Sequence, residues 1–508
     1  MKTTLYDFYD IASPDAGAMI ESLRAYGYHL ETSVADIIDN SIFAQARNVW
    51  IDCSWKGEQS TISIKDDGCG MTENELKEAM RPGSTNPLQE RDPKDLGRFG
   101  LGLKTASFSQ CKKLTVGSKT EKTDIAIRCW DLDYVNRENE WRLVKLKEED
   151  SPKIFSELNG MKSGTVVLWE RIDRLTKGTD SENHVHKDHF FEQLDILRDH
   201  LSMVFHRYLE KNNGLKIYLN KNEIKPWDPF LKNNPSTQHL PKEFIKYQGK
   251  TITVRPFVLP HRSKLDDRTY ETAGGQGGWN ERQGFYLYRN ERLIVPGDWL
   301  GLLYKKSQPI RKEQHTKLAR ILVDIPNSFD GDWKIDVKKS VARPPNSIRE
   351  EFQRISRLTI EQAISVYRYR GKVLERNSES ALTFPWKTTN QRGFYHYSIN
   401  REHPLIRDIL DTSGDSGRKI QAMLRIIEET VPVPLIILNG SNNPDKIQRP
   451  FDDAPSDELM KIMEEVWNSL KKTGIPADEA KKRLKNMEPF SDYPSTVSVF
   501  FDQKESRG

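Results

Sequence analysis

The chain has 508 residues, 78 Lys and Arg against 74 Asp and Glu, a formal net charge of +4 and a pI near 8.5. That length provides for two or three domains with real cores, and a balance this mildly basic leaves any case for nucleic acid to local clusters. No apolar run reaches the roughly 18–20 residues of a membrane span. The opening Met1–Asp10 is too polar and acidic to read as a signal peptide, and Cys53, Cys69, Cys111 and Cys129 lack zinc spacing. The expectation is a cytoplasmic chain with reduced thiols and no membrane partner.

Residues 15–27 read as a helix through Ala18, Met19 and Leu23, stopped near Gly27. A second helix covers 31–45, where Val34, Ile37, Ile38 and Ile42 recur at helical spacing. On it Asp36 and Asn40, four apart, share a face. A carboxylate and a carboxamide so placed bind Mg²⁺ through oxygen and orient a water; the same letters also make an ordinary solvated face. Val49–Trp55 and Thr61–Lys65 alternate as two strands around a Lys-Gly-Glu-Gln turn. The second strand runs into Asp66-Asp67-Gly68-Cys69-Gly70-Met71. An acid at a strand end followed by two glycines lets backbone approach a ligand that the acid can bond, although a plain Asp-Gly turn reads alike. After a helix over Thr72–Met80, residues 81–96 are polar and broken by prolines, a mobile loop. The loop ends in Leu96-Gly97-Arg98-Phe99-Gly100-Leu101-Gly102-Leu103-Lys104-Thr105-Ala106. Glycines ahead of a helical run offer backbone N–H groups to phosphates, and Lys104 adds a compact charge. The spacing is neither that of a P-loop nor that of a dinucleotide fingerprint.

In this order, Asp36-x-x-x-Asn40, Asp66-x-Gly68-x-Gly70 and Gly97-x-x-Gly100-x-Gly102 resemble the N, G1 and G2 boxes of the GHKL ATPases. That group includes gyrase, the ninety-kilodalton heat-shock chaperones, histidine kinases, MutL and MORC. Ser163-Gly164-Thr165-Val166-Val167 is similar to the group's late Gly-Thr element. The resemblance implies a Bergerat α/β sandwich, an antiparallel sheet covered on one face by helices, with ATP and Mg²⁺ as cofactors. It implies that Asp66 bonds the adenine amino group, with Gly68, Gly70, Met71 and Thr165 around the base, and that Asn40 holds Mg²⁺. It gives the phosphate tail to Gly97, Arg98, Phe99, Gly100, Leu101, Gly102, Leu103 and Lys104, with residues 81–99 as the ATP lid. One position departs from the pattern. Where hydrolysing members carry the glutamate that activates water, this chain has Asp36, shorter by about 1.5 Å of reach. A positioned base is worth about 10²–10⁴ in rate, so the expectation is a slow ATPase with Asp36 as base. Asp39 reads as a surface or supporting acid.

Residues 172–188 form a polar boundary between a first domain over 1–175 and a second over 185–345. In the second, Phe190–Leu209 reads as an amphipathic helix, and Leu215–Leu219, Thr251–Leu259, Gln283–Tyr288 and Leu318–Ile325 as strands, with Arg289–Ile294 a hairpin return. Trp333-Lys-Ile-Asp-Val-Lys338-Lys339-Ser340 closes it. This stretch resembles the end of the ribosomal-S5-like transducer domain of gyrase, MutL and MORC, where a lysine reaches the γ-phosphate; Lys338 and Lys339 both fit. Pro226–Phe230 and Tyr288–Ile294 look more like MORC than gyrase. Lys305, Lys306, Arg311, Lys312, Lys317 and Arg320, then Arg368, Arg370 and Lys372, form basic clusters that read as a nucleic-acid track or as solvated loop charge.

The third region, 346–508, begins with a long charged helix over 347–372 and a polar connector, Arg376–Gly393. It then carries two apolar stripes, Ile420/Met423/Leu424/Ile427 and Leu459/Ile462/Met463/Val466/Trp467/Leu470, that fit either core or a partner surface, giving a mainly helical C-terminal region. The resemblance stops at residue 345. It implies an ATP-gated homodimeric clamp on DNA in repair, restriction or phage defence, with a nuclease or other defence or repair protein as partner. A chaperone-like remodeller and a nucleotide-gated scaffold with negligible turnover are the alternatives.

Overall fold

The computed structural model describes residues 14–25, 27–83, 102–176, 180–305, 308–329, 332–333, 342–368, 385–391, 394–433, 456–472, 474–487, 489–490 and 493–505. The chain forms two compact units, Met1–Lys372 and Val373–Gly508.

The first unit opens with α1 (Ala16–Arg24), whose N-cap Asp15 accepts a hydrogen bond from the Ala18 amide. α2 (Leu30–Phe43) follows, with Val34, Ile37 and Ile38 buried. β1 (Asn48–Ser54) and β2 (Thr61–Asp66) pair antiparallel. α3 (Glu73–Met80) starts on a reciprocal Thr72/Glu75 capping box. Then come α4 (Gly102–Phe108), β3 (Lys113–Lys119), β4 (Ala126–Asp131), α5 (Leu132–Glu138), β5 (Val144–Leu146) and β6 (Gly164–Glu170). α6 (Asp173–Thr176), α7 (His184–Val204) and α8 (His206–Leu209) lead to β7 (Lys216–Leu219) and β8 (Asn222–Glu223). The eight strands run in the order β5-β4-β3-β6-β2-β1-β7-β8. Neighbours are antiparallel except β1 and β7, so this sheet draws two strands from beyond residue 175.

Its inner face packs on helices: Ile20, Val34, Ile38, Ala106, Phe108, Leu197 and Leu201 join Val49, Ile51, Ile64 and Trp169 in one core. On the outer face a 3₁₀ segment, Lys153–Gly160, lays Phe155 and Leu158 against Val166 and Leu168. This is the expected α/β sandwich.

The second sheet comprises β9 (Gln238–His239), β10 (Glu243–Tyr247), β11 (Lys250–Val258), β12 (Gly284–Arg289), β13 (Arg292–Asp298) and β16 (Ala319–Ile325), with α9 (Asp267–Gly274), α10 (Gly278–Glu281) and a small ribbon, β14 (Leu303–Lys305) and β15 (Gln308–Pro309), inserted between its strands. Strand alternation divides its residues. Tyr286, Tyr288, Phe257 and Leu322 face the core of the first sheet's helices, while Phe285, Leu287, Ile321 and Val323 face α11 (Arg349–Arg368). The two layers therefore share a continuous interior, and α11 completes the second core.

Two members of the basic cluster are not on a surface. Arg320 is fully buried, donating to the carbonyls of Pro229 and Ala273, with the rings of Trp227, Trp279 and Tyr286 5.4–5.8 Å away. Lys317 is buried beside Tyr270. Lys306, Arg370 and Lys372, and the side chains of Lys305 and Arg368, lie outside the described residues.

The second unit contains a hairpin, β17 (Trp386–Gln391) with β18 (Phe394–Ile399), whose first strand occupies the stretch read as a polar connector. The letters misled because Lys387–Gln391 carries no apolar alternation. α12 (Pro404–Thr412), α13 (Gly417–Thr430), α14 (Ser456–Lys472), α15 (Ala477–Asn486) and α16 (Pro494–Glu505) follow. The stripe on α14 is core: Leu459, Met463, Val466, Trp467 and Leu470 pack with Leu484, Phe500 and Phe501. The stripe on α13 is not; Met423 and Ile427 are exposed, as is Ile426. No described helix is long and apolar enough to cross a membrane.

Candidate functional site

Asp66 ends β2 opposite Thr165 of β6. Its Oδ2 accepts from Ser41 Oγ at 2.9 Å and its Oδ1 from the Gly68 amide at 2.9 Å. Burial pushes its carboxyl up to about 6, against these hydrogen bonds, which favour the charged form. Asp67 turns the other way, accepting from the amides of Arg47 and Asn48 and from the Asn48 side chain. The first acid thus serves the site and the second fixes the turn behind it.

The loop after Asp66 is strapped down at both ends. The Cys69 amide donates to Ala44 O at the end of α2, and Ser163 Oγ donates to Gly68 O at 2.7 Å. The Met71 amide donates to Ser118 Oγ, which also lies 2.8 Å from Thr165 Oγ1. Both glycines are sterically required. A Cβ on Gly68 would sit 2.7 Å from Ala44 Cβ, and Gly70, at φ +69°, would carry one 1.9 Å from Lys119 O.

On α2 the polar face divides. Asn40 is exposed at the end of the helix, whereas Asp36 and Asp39 are buried. Arg292, from β13 of the second sheet, meets both acids: its Nε donates to Asp39 Oδ1 at 2.7 Å and its Nη2 lies 3.6 Å from Asp36 Oδ1. Asp39 is therefore no surface acid, because a guanidinium from 253 residues away compensates its charge in the interior.

Lys104, on α4, is buried and donates from Nζ to Ala79 O, in the last turn of α3; burial lowers its ammonium to about 8. It is directed at that helix end, where unpaired carbonyls favour a cation. Gly102 and Leu103 open α4 and are half-buried. Gly97, Arg98, Phe99, Gly100, Leu101, Lys338 and Lys339 lie outside the described residues. The structure thus brings Asp66, Gly68, Gly70, Met71 and Thr165 together and sets Asp36 and Asn40 on one helix. It adds Ser41, Ser118 and Arg292, which no motif had marked; of these only Ser41, next to Asn40, left a local signal.

These residues fit a purine nucleotide. A buried carboxylate with two ordered donors behind it stands at the floor, and glycines keep the approach free of Cβ atoms. Among the described residues there is no cluster of three or more His, Cys, Asp or Glu that would hold a metal unaided. A Mg²⁺ supported by Asn40 and by substrate phosphates is the arrangement such a donor set serves.

Comparison with known proteins agrees with this geometry. Residues 28–165 match the family of histidine kinase-, DNA gyrase B- and HSP90-like ATPases. Chaperone protein HtpG of Bacillus velezensis is 34% identical over 98 residues, 18% of this chain and 16% of that protein. The ATPase morc-1 of Caenorhabditis elegans is 28% identical over 90 residues, 18% of this chain and 10% of that one. The DNA mismatch repair protein MutL of Erwinia tasmaniensis is 35% identical over 92 residues, 17% of this chain and 15% of MutL. The likeness thus takes in less than a fifth of each relative. Residues 28–165 form a domain of the GHKL family of histidine kinase-, gyrase B- and HSP90-like ATPases, and the chain is similar over 90–98 residues to HtpG, morc-1 and MutL.

Proposed function

We propose that the chain binds Mg·ATP in this site, hydrolyses it slowly, and uses the nucleotide to gate a homodimeric clamp on DNA. The observation that carries the reading is the buried Asp66 carboxylate, held by Ser41 and Gly68 beneath a loop whose glycines admit no side chain. Asp66 accepts from the adenine amino group, and Gly68, Gly70, Met71 and Thr165 surround the base. Asn40 holds Mg²⁺, which when bound offsets phosphate charge. Residues 81–99 form the lid, with Gly97 to Lys104 along the phosphates and Lys338 or Lys339 sensing the γ-phosphate. In hydrolysis the water oxygen bonds to the γ-phosphorus as the bond from that phosphorus to the bridging oxygen breaks. ADP leaves with the electron pair, and Asp36 takes the proton that the water loses. In domain terms this is a nucleotide-binding head over 1–175, a transducing unit over 185–345 that lends strands to the head's sheet, and a region over 346–508 whose first helix, α11, packs into the transducing unit's core.

DNA as the partner is supported by the likeness to DNA mismatch repair proteins. A defence or repair protein such as a nuclease would act on the closed state. A second reading, a chaperone-like remodeller, draws on the exposed Met423, Ile426 and Ile427 of α13 and on the likeness to HtpG. Size-exclusion chromatography with light scattering separates the two. With a non-hydrolysable ATP analogue, but not ADP, the clamp becomes a dimer and retains circular DNA in high salt. If oligomeric state and DNA retention stay the same in both nucleotides, the clamp is wrong.

A further inference from the structure

The hairpin between β12 and β13 is a rigid probe from the second sheet into the first. Asn290 and Glu291 form its two-residue turn with φ of +46° and +66°, the conformation that matches strand twist in a tight hairpin. The tip is fastened on the α7–α8 side. Tyr208 Oη donates to Asn290 O, Lys211 pairs with Glu291, and the Arg207 guanidinium lies 3.5 Å from the centre of the Tyr288 ring while pairing with Asp324 of β16. Immediately after the turn, Arg292 enters the interior over the ring of Phe205 and reaches Asp39 and Asp36.

Asp36 and Asp39 are three residues apart on α2 and so lie on one side of the helix. A guanidinium is planar, and its donors are fixed relative to each other. Nε donates to Asp39 Oδ1 at 2.7 Å and Nη1 to the Leu293 carbonyl at 3.4 Å, and the two bonds together set the plane and with it the position of Nη2, 3.6 Å from Asp36 Oδ1. The Asp36 carboxylate, on a side chain one methylene shorter than glutamate, therefore takes its orientation partly from a residue of the second sheet.

We infer that Arg292 is a positioning residue for the Asp36 base, through which the placement of the second sheet sets the rate of hydrolysis. This rests on the reading of Asp36 as the base of an ATPase. A shift of the hairpin relative to α2 moves the guanidinium and with it the carboxylate, without touching the adenine end of the site, where Asp66, Ser41 and Thr165 stand on the first sheet and α2 alone. The second sheet thereby acts on turnover rather than on nucleotide affinity.

The test compares wild type with Arg292→Met, Arg292→Lys and the double variant Arg292→Met/Asp39→Asn. Affinity for a non-hydrolysable ATP analogue and single-turnover phosphate release are measured on the full chain. The double variant removes Arg292 together with the charge of its hydrogen-bonded partner Asp39, so the buried group keeps the net charge of wild type, one cation and two acids becoming Asp36 alone. Folding is thereby spared the extra unpaired acid that Arg292→Met leaves. Phosphate release is expected to fall by about 10²-fold in Arg292→Met and in the double variant, the scale of a misplaced reacting group, with analogue affinity unchanged and partial recovery in Arg292→Lys. A folded double variant that releases phosphate at the wild-type rate, or one that loses affinity and rate together, overturns the inference while leaving the ATPase reading intact. A wild type that binds the analogue but releases no phosphate overturns both.

Discussion

Ser41 Oγ gives its hydrogen to Asp66 Oδ2 at 2.9 Å, while Asp66 Oδ1 receives the amide of Gly68 at the same distance. Both donors are local, so an asparagine can occupy this position without disorder, its oxygen accepting from Gly68 and its amide donating to a reversed Ser41 hydroxyl. What asparagine cannot supply is the charged acceptor. Asp66→Asn should fold and yet bind an ATP analogue about 10²-fold more weakly, the worth of one charge-assisted hydrogen bond. Titration calorimetry on both proteins checks this.

The same carboxyl makes binding and stability respond to pH in opposite directions. Its folded-state value, about 6, lies above the ordinary 3.8. Its contribution to stability is therefore fully present below the unfolded value and is lost as pH rises through about 6, at most about 3 kcal/mol. The charged acceptor that we propose for adenine is present only above that pH. Analogue affinity should fall as pH drops from 7 to 5 in wild type and stay flat in Asp66→Asn. Urea melts should show Asp66→Asn gaining on wild type as pH rises through the same window.

At Gly70 an added methyl group meets two obstacles, a left-handed backbone and the Lys119 carbonyl 1.9 Å away. Gly70→Ala should cost at least about 2 kcal/mol in urea unfolding, since the conformation alone is worth 1–2. It should also weaken nucleotide binding by displacing Met71 from Ser118.

Tyr288 shares a 2.7 Å hydrogen bond with Nε2 of the fully buried His206, whose Nδ1 lies 3.0 Å from Glu210. Burial holds that imidazole below its ordinary range. Tyr288→Phe strands a buried ring nitrogen and should destabilise the first unit by about 1–3 kcal/mol. Denaturant melts are the check, with Tyr286→Phe, whose hydroxyl donates to the Arg282 carbonyl, as the milder comparison.

If the missing methylene of Asp36 is what limits hydrolysis, Asp36→Glu should raise turnover by about tenfold or more, within the range that a well-placed base is worth. Steady-state phosphate release decides it. An unchanged or lower rate would show that Arg292 and α2 have been fitted to the shorter acid.

The loop around Asp66 was legible because its parts are contiguous in sequence: an acid at the end of β2, then glycines whose backbone approach leaves no alternative residue. Strand alternation and helical stripes gave the elements on either side of those motifs, while the sandwich they form was expected from the resemblance to the GHKL ATPases. Arg292 was not legible, since nothing near it in sequence says that its charge is spent on α2. Arg320 misled for a related reason, since a buried guanidinium among aromatic rings reads as one more basic surface residue. The parallel pairing of β7 with β1 was equally hidden, because four residues, Lys216–Leu219, identify a strand but not its neighbour. On α13 the apolar stripe was plain, and only the fold showed that Met423 and Ile427 remain exposed while the similar stripe on α14 is core.

Phosphate release from saturating Mg·ATP, measured side by side for wild type and Asp36→Asn after both are shown to bind the analogue equally, tests the central claim most directly. Slow turnover in wild type and none in Asp36→Asn is the predicted result. Equal rates in the two proteins would contradict it.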